Sequence, residues 1–312
     1  MSSVAPFEPC PTCGSSTSVM RVGPMHNAVH NDASYTLLGC ARCDLRFWSP
    51  LVADPTIYAH EGYEAYADYH SGQRPFPRWA EPLFAQLPER RAAALDIGCG
   101  DGAVLARLRD AGFDPHGIDL DERSIEVAAS KYGLKQVQAR TLGDYVNEAR
   151  ASDRRFGLLT FFEVLEHQDN PLQFLAEVAS LCEPDALVAG SVPNRKRFLA
   201  SADRHLGDGD LPPHHFLWFS PTSLKALLER AGFTAVNVNC AGHLPLRDVV
   251  PRLDKVVRRR SSTWLAPLRA LAVGGSKLAA LPVWAGFQMR PTHLFFTCRW
   301  PSSSSIAPRG SD

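Results

Sequence analysis

The 312-residue chain has no charge excess: 33 basic residues balance 33 acids. Without a surplus of positive charge it has no global attraction to nucleic acid, and none is expected as a partner. No uninterrupted apolar run reaches the length of a membrane span. Met1–Pro9 has neither a basic start nor an apolar core, so no secretory leader is expected. The eight cysteines should therefore sit in a reducing compartment, the cytoplasm by default. There, metal ligation is favoured over disulfides. The dinucleotide fingerprint G-x-G-x-x-G is also missing.

In its place stands a different glycine pattern. The apolar run Ala92–Ile97 reads as a buried strand that breaks at Gly98, Gly100 and Gly102. A helical pattern resumes through Val104, Leu105 and Leu108. Glycine suits a sharp turn whose backbone must approach a ligand closely. The N–H groups at the start of the following helix attract an anionic group. Asp119, 21 residues after Gly98, ends a second apolar stretch, a distance at which an acid can accept from ribose hydroxyls.

Strand-Asp96-x-Gly98-x-Gly100-x-Gly102 resembles motif I of class I S-adenosylmethionine (SAM) methyltransferases. The resemblance runs over roughly Arg78–Cys240. It implies a cradle of Asp96, Gly98, Cys99, Gly100 and Gly102 for the methionine end of SAM, with Asp119 and Leu120 at the ribose. It also implies adenine contacts from Thr141 and Leu142, and Phe162 near the adenine or sulfonium. The N/D-P-P-Y/F tetrapeptide of amino-methylating enzymes is absent, which weakens a nucleic-acid target.

From Arg91 the pattern alternates strand and helix, as in a parallel sheet covered on both faces. The expected strands are Ala92–Ile97, Pro115–Leu120, Gln136–Ala139, Phe156–Phe162, Ala186–Val192, Thr234–Asn239 and His293–Arg299. The expected class is α/β: a doubly wound, seven-stranded, mostly parallel sheet with a small N-terminal zinc-ribbon-like module. The boundaries are 1–50 for that module and 51–90 for a tyrosine-rich linker with a lead-in helix, Trp79–Leu87. The methyltransferase domain is 91–300, and 301–312 is a Ser/Pro-rich disordered tail.

The N-terminal module carries Cys10-x-x-Cys13 and Cys40-x-x-Cys43, 26 residues apart. Four thiolates at this spacing can surround one structural Zn2+ and leave no position open for chemistry. Reduced thiols in a hairpin are the plainer alternative. In the linker, Tyr63, Tyr66 and Tyr69 lie three apart and could share a helical face; the resemblance implies a place over the cofactor, and the plainer alternative is packing between the zinc module and the core.

Strand four ends in Phe162-Glu163-Val164-Leu165-Glu166-His167, which resembles the E-V-L-E-H motif of quinone-type O-methyltransferases. Strand ends in such sheets line the ligand crevice. His167 could take a proton from a hydroxyl, or Glu163, Glu166 and His167 could hold a divalent cation such as Mg2+. They could also simply cap the next helix. The resemblance also implies that the loop Pro212-Pro213-His214-His215 sits across the pocket, where it could offer a second base or a substrate contact.

The stretch 244–290 holds nine basic residues against two acids, then a nearly apolar run broken by Gly274-Gly275 and Pro282. It reads as lid helices or as a peripheral contact with an anionic inner membrane face. The expected activity is SAM-dependent methylation of a small-molecule hydroxyl on a sugar, quinone or lipid-linked intermediate. The rivals are an RNA methyltransferase whose zinc module grips RNA and a non-catalytic SAM-binding scaffold.

Overall fold

The computed structural model describes residues 8–20, 27–30, 33–54, 57, 67–198, 200, 210–243 and 281–302. Tyr63, Tyr66, most of the basic stretch (244–280) and the tail from 303 lie outside them. The strands are β1 (Ser18–Val19), β2 (Asn27–His30), β3 (Ala33–Gly39), β4 (Arg46–Ser49), β5 (Ala93–Ile97), β6 (Asp114–Asp119), β7 (Val137–Ala139), β8 (Phe156–Phe162), β9 (Cys182–Pro193), β10 (Leu217–Trp218), β11 (Thr234–Ala241) and β12 (His293–Arg299). The helices are α1 (Ala67–His70), α2 (Glu81–Phe84), α3 (Ala103–Asp110), α4 (Glu122–Tyr132), α5 (Leu142–Ala151), α6 (Pro171–Ser180), α7 (Pro221–Arg230) and α8 (Leu281–Met289). None is long and apolar enough to cross a membrane.

The large sheet runs β11-β12-β9-β8-β5-β6-β7. Its five strands from β9 to β7 are parallel, and β12 runs antiparallel to both β9 and β11. All seven expected strands are present. The chain leaves β5 toward β6 on one side and later returns through β8 on the other. This reversal opens a crevice at the carboxyl ends of β5 and β8. Helix ends follow local chemistry. The Asn170 side chain caps α6, Ser220 and Ser223 form a reciprocal cap on α7, and left-handed Gly133 stops α4.

Three elements differ from expectation. The lead-in helix shortens to α2, because turns flank it on both sides. Strand β9 begins at Cys182, four residues early, beyond an irregularity in its pairing with β8. Helix α5 was not foreseen. Thr141 starts it, the Thr141 hydroxyl accepting from the Asp144 amide at 3.1 Å.

The second sheet runs β1-β3-β4-β10, with β2 also on β3. Its last strand, β10, comes from far beyond residue 50: Leu217 pairs with Phe47 and Trp218 with Arg46. One apolar cluster joins Leu37, Leu38 and Phe47 of this sheet to Phe161, Val188 and Phe296 of the large one. The N-terminal module and the α/β layer therefore share a core.

Candidate active site

A cavity of about 440 Å³ opens at the switch point of the large sheet. Its walls include Gly98 and Gly100 after β5, Asp119 and Leu120 after β6, Thr141 and Leu142 at the head of α5, and Phe162, Glu163 and His167 after β8. Residues predicted for a cofactor from separate parts of the chain thus meet in one place. Tyr69, the one linker tyrosine of the three that is described, lines it too. Its ring sits under the guanidinium of Arg74, 3.9 Å from the centroid.

The glycine loop is shaped by contact. Gly98 and Gly100 have φ of +72° and +51°, and a Cβ on either would come within 2.6 Å of Val164 or Tyr69. Their amides are directed inward. Gly98 and Cys99 both donate to the Ile118 carbonyl, at 2.8 and 3.0 Å. The Gly100 amide donates to Asp119 Oδ2 at 2.8 Å, while Asp119 Oδ1 accepts from the Asp121 amide at 2.9 Å. Asp119 thereby clamps the loop and faces the cavity together. Burial raises its carboxyl above the usual range, against those two amide bonds.

Asp96, Cys99 and Gly102 lie behind the cavity wall. Asp96 is buried and accepts from Thr160 Oγ1 at 2.7 Å. Burial, with the Asp119 charge added, pushes its carboxyl up to about 7. The Cys99 side chain packs among Leu105, Ile125, Ala128 and Leu134. A Cβ on Gly102 would meet Ala128 and Leu134 at 2.7 Å, so this glycine serves the contact of α3 with α4.

Just after β8, Glu163 adopts a left-handed backbone, φ +58°. Its Oε1 accepts from Ser191 Oγ at 2.6 Å, and its Oε2 lies 3.1 Å from His293 Nε2. Burial opposes ionisation, but the His293 charge and these bonds hold the carboxyl below its ordinary value. The turn Leu165–His167 sends Glu166 and His167 elsewhere. His167 Nδ1 donates to the His214 carbonyl at 2.6 Å. Its ring meets that of His215 edge-on, with centroids 4.7 Å apart. Burial, then the His215 charge, brings His167 down to about 3, so the ring is neutral at pH 7. His215 Nδ1 faces Asp210 Oδ1 at 3.2 Å.

The donor set is therefore not the expected one. Glu163 turns to Ser191 and His293, and the groups that converge are Glu166, His167 and His215. Ser191, His293 and Asp210 were not anticipated, since they act through partners distant in sequence. The cysteines do gather: Cys10 and Cys43 Sγ lie 3.5 Å apart, as do those of Cys13 and Cys40, and all four atoms fall within 4.8 Å of one another. Thiolates about 2.3 Å from a tetrahedral Zn2+ would be about 3.8 Å apart, so the cluster fits that ion.

The crevice position, the strand order and the acid after the second parallel strand together define the class I SAM-dependent methyltransferase fold. Comparison with known proteins agrees. The family model described as a methyltransferase domain matches residues 69–238. The ubiquinone biosynthesis O-methyltransferase of Bordetella avium is 30% identical over 181 residues, 55% of this chain and 73% of that protein. Its namesake from Actinobacillus pleuropneumoniae is 33% identical over 106 residues, 32% of this chain and 45% of that protein. The chain thus spans less than half the length of some relatives it matches. A putative methyltransferase of Haloferax volcanii, solved with the Trm112 activator, shares the fold at TM-score 0.54 and 14% identity, covering 78% of this chain and 97% of that one. The chain belongs to the methyltransferase-domain family and is a SAM-dependent methyltransferase.

Proposed function

We propose that the chain methylates a hydroxyl of a small molecule: a sugar, a quinol or a lipid-linked intermediate. One observation carries this reading. Glu163 and His167 stand on the same cavity wall system as the glycine loop and Asp119. The names of the relatives from Bordetella avium and Actinobacillus pleuropneumoniae, both O-methyltransferases, support a hydroxyl acceptor.

When bound, SAM supplies a methyl group already activated for in-line displacement. Gly98, Gly100, Asp119, Leu120, Thr141, Leu142 and Phe162 are the groups that would hold it. The remaining work belongs to the chain: aligning the hydroxyl, excluding water and receiving the proton. An O–H grows more acidic as its oxygen forms a bond to carbon, so a neutral imidazole suffices. His167, which lines the cavity, is the group that meets the acceptor, and Glu166 and His215 stand behind it. Cys10, Cys13, Cys40 and Cys43 would hold a Zn2+ with four protein ligands, so that ion would serve structure and not chemistry.

The test is incubation of the full chain with isotope-labelled SAM and a panel of hydroxylated sugars, quinols and lipid-linked precursors. Label on oxygen is the expected result. Label found only on nitrogen or carbon overturns the hydroxyl assignment, and failure to bind SAM in calorimetry overturns the cofactor assignment.

A further inference from the structure

Glu166 is fully buried, and neither of its carboxylate oxygens has a hydrogen-bond partner among the described residues. An acid in that position is costly unless it is neutral, paired or bound to a cation. Two imidazoles face it. The Nε2 atoms of His167 and His215 each lie 4.0 Å from Glu166 Oε1. Each ring commits its other nitrogen outward, His167 Nδ1 to the His214 carbonyl and His215 Nδ1 to Asp210. These partners assign the ring proton to Nδ1 and the lone pair to Nε2, the arrangement that outer partners impose on metal-binding histidines. Asp210 is itself anchored by Arg197 at 2.9 Å.

We propose that Glu166, His167 and His215 bind a divalent transition-metal ion, Zn2+ by preference. One ligand atom from each lies within 4.8 Å of the other two. Ligands about 2.1 Å from a common ion sit about 3.0–3.5 Å apart, so the ligand atoms need to close by at most about 1.8 Å. Two imidazoles and one carboxylate suit Zn2+ or Fe2+ and not Mg2+, which takes oxygen ligands. Three protein ligands leave a position open. It faces the cavity, because His167 and Pro213 line that cavity while Glu166 and His215 stand behind. Glu163 is no ligand, since Ser191 and His293 occupy its oxygens. For its consequence alone the inference rests on the hydroxyl reading: an acceptor O–H on the ion would be made more acidic by coordination, and its proton would pass to water, because His167 Nε2 is then a ligand.

The experiment strips the full chain with a chelator, reloads it with Co2+, and counts ions per chain alongside the absorption spectrum. Two ions per chain are expected. One gives the intense thiolate charge-transfer band of the cysteine cluster, and the other gives only weak d–d absorption. In His215→Gln and Glu166→Gln the second ion is lost and the thiolate band stays. That band also reports folding, since β4 of the cysteine module pairs with β10 beside His215. A wild-type chain holding only the thiolate-bound ion overturns the inference, as does a second ion that survives both substitutions. A chain that binds two ions but methylates no hydroxyl leaves the site standing and removes the acceptor assignment instead.

Discussion

The Phe216 amide donates to the Glu166 carbonyl at 3.0 Å. That bond ties the loop carrying His215 to the turn carrying His167. From the other side, the Phe216 carbonyl accepts from the Trp48 amide at 3.0 Å. The cysteine module thus grips the His215 loop through backbone bonds. It is fastened further by Arg230, which donates to the Thr12 carbonyl at 2.9 Å, and by Lys196 and Arg195 paired with Asp44.

Weakening the cysteine cluster should therefore damage turnover more than cofactor binding. Cys40→Ser removes one of four thiolates. A loss of about 3 kcal/mol would lower Tm by roughly 6–12 °C in a domain of this size. Below that temperature, SAM affinity is expected to stay within about threefold of wild type, because no cysteine of the cluster lines the cavity. Methyl transfer should fall, since β10 and the His215 loop loosen. Calorimetry with SAM and initial rates, measured together, decide the matter. Equal loss of both would show the module to be a general scaffold.

The glycine loop offers a paired comparison. Gly100 and Gly133 both have positive φ, +51° and +66°. Alanine at either costs about 1–2 kcal/mol in backbone strain. Around Gly133 nothing lies within 4 Å of an added Cβ, whereas at Gly100 that atom meets the Tyr69 ring. Gly100→Ala should displace Tyr69 from the cavity wall and weaken SAM binding at least about tenfold, which is 1.4 kcal/mol. Gly133→Ala should lose stability alone. Matching SAM affinities in the two variants would deny Tyr69 a place at the cofactor.

The part of the cavity lined by Gly98, Gly100 and Asp119 was legible because each piece is local. A strand, a glycine turn and an acid ending the next strand occupy Asp96–Asp119, and one βαβ unit carries them all. The seven strands were readable for the same reason, from apolar runs between turn residues. The part after β8 was not. Whether Glu163 points to a metal or to His293 depends on a left-handed backbone and on β12, 130 residues later. The β4–β10 pairing joins residues 170 apart, and no periodicity announces a two-residue strand. The missed helix α5 did carry a signal, Thr141 three residues before Asp144.

Asp96 supplies a pH test. Its folded-state carboxyl, at about 7, lies above the ordinary 3.8, so the native state holds an extra proton between those values. The stability it contributes is complete below about pH 4 and is lost as pH rises through about 7. Asp96→Asn keeps an acceptor for the Thr160 hydroxyl and removes the titration. Denaturant unfolding without SAM should show the variant gaining on wild type from about pH 4 to pH 7, by at most about 1.4 kcal/mol per pH unit. A constant difference across that window would mean that Asp96 is ionised in the fold at neutral pH.

His167 is the member of the buried cluster that reaches the cavity, so its removal should separate chemistry from cofactor binding. His167→Ala is expected to lower single-turnover methyl transfer to a hydroxyl acceptor by about 10²–10⁴-fold. The SAM dissociation constant should barely move, since the glycine loop and Asp119 remain. Glu163→Gln acts differently. The amide can still bond Ser191 but loses the charge facing His293. A smaller loss, about tenfold, should follow, in keeping with weakened positioning. If His167→Ala turns over at the wild-type rate while Glu163→Gln is inactive, the proton leaves through the Glu163–His293 pair, and the roles assigned to the two sides of the β8 turn exchange.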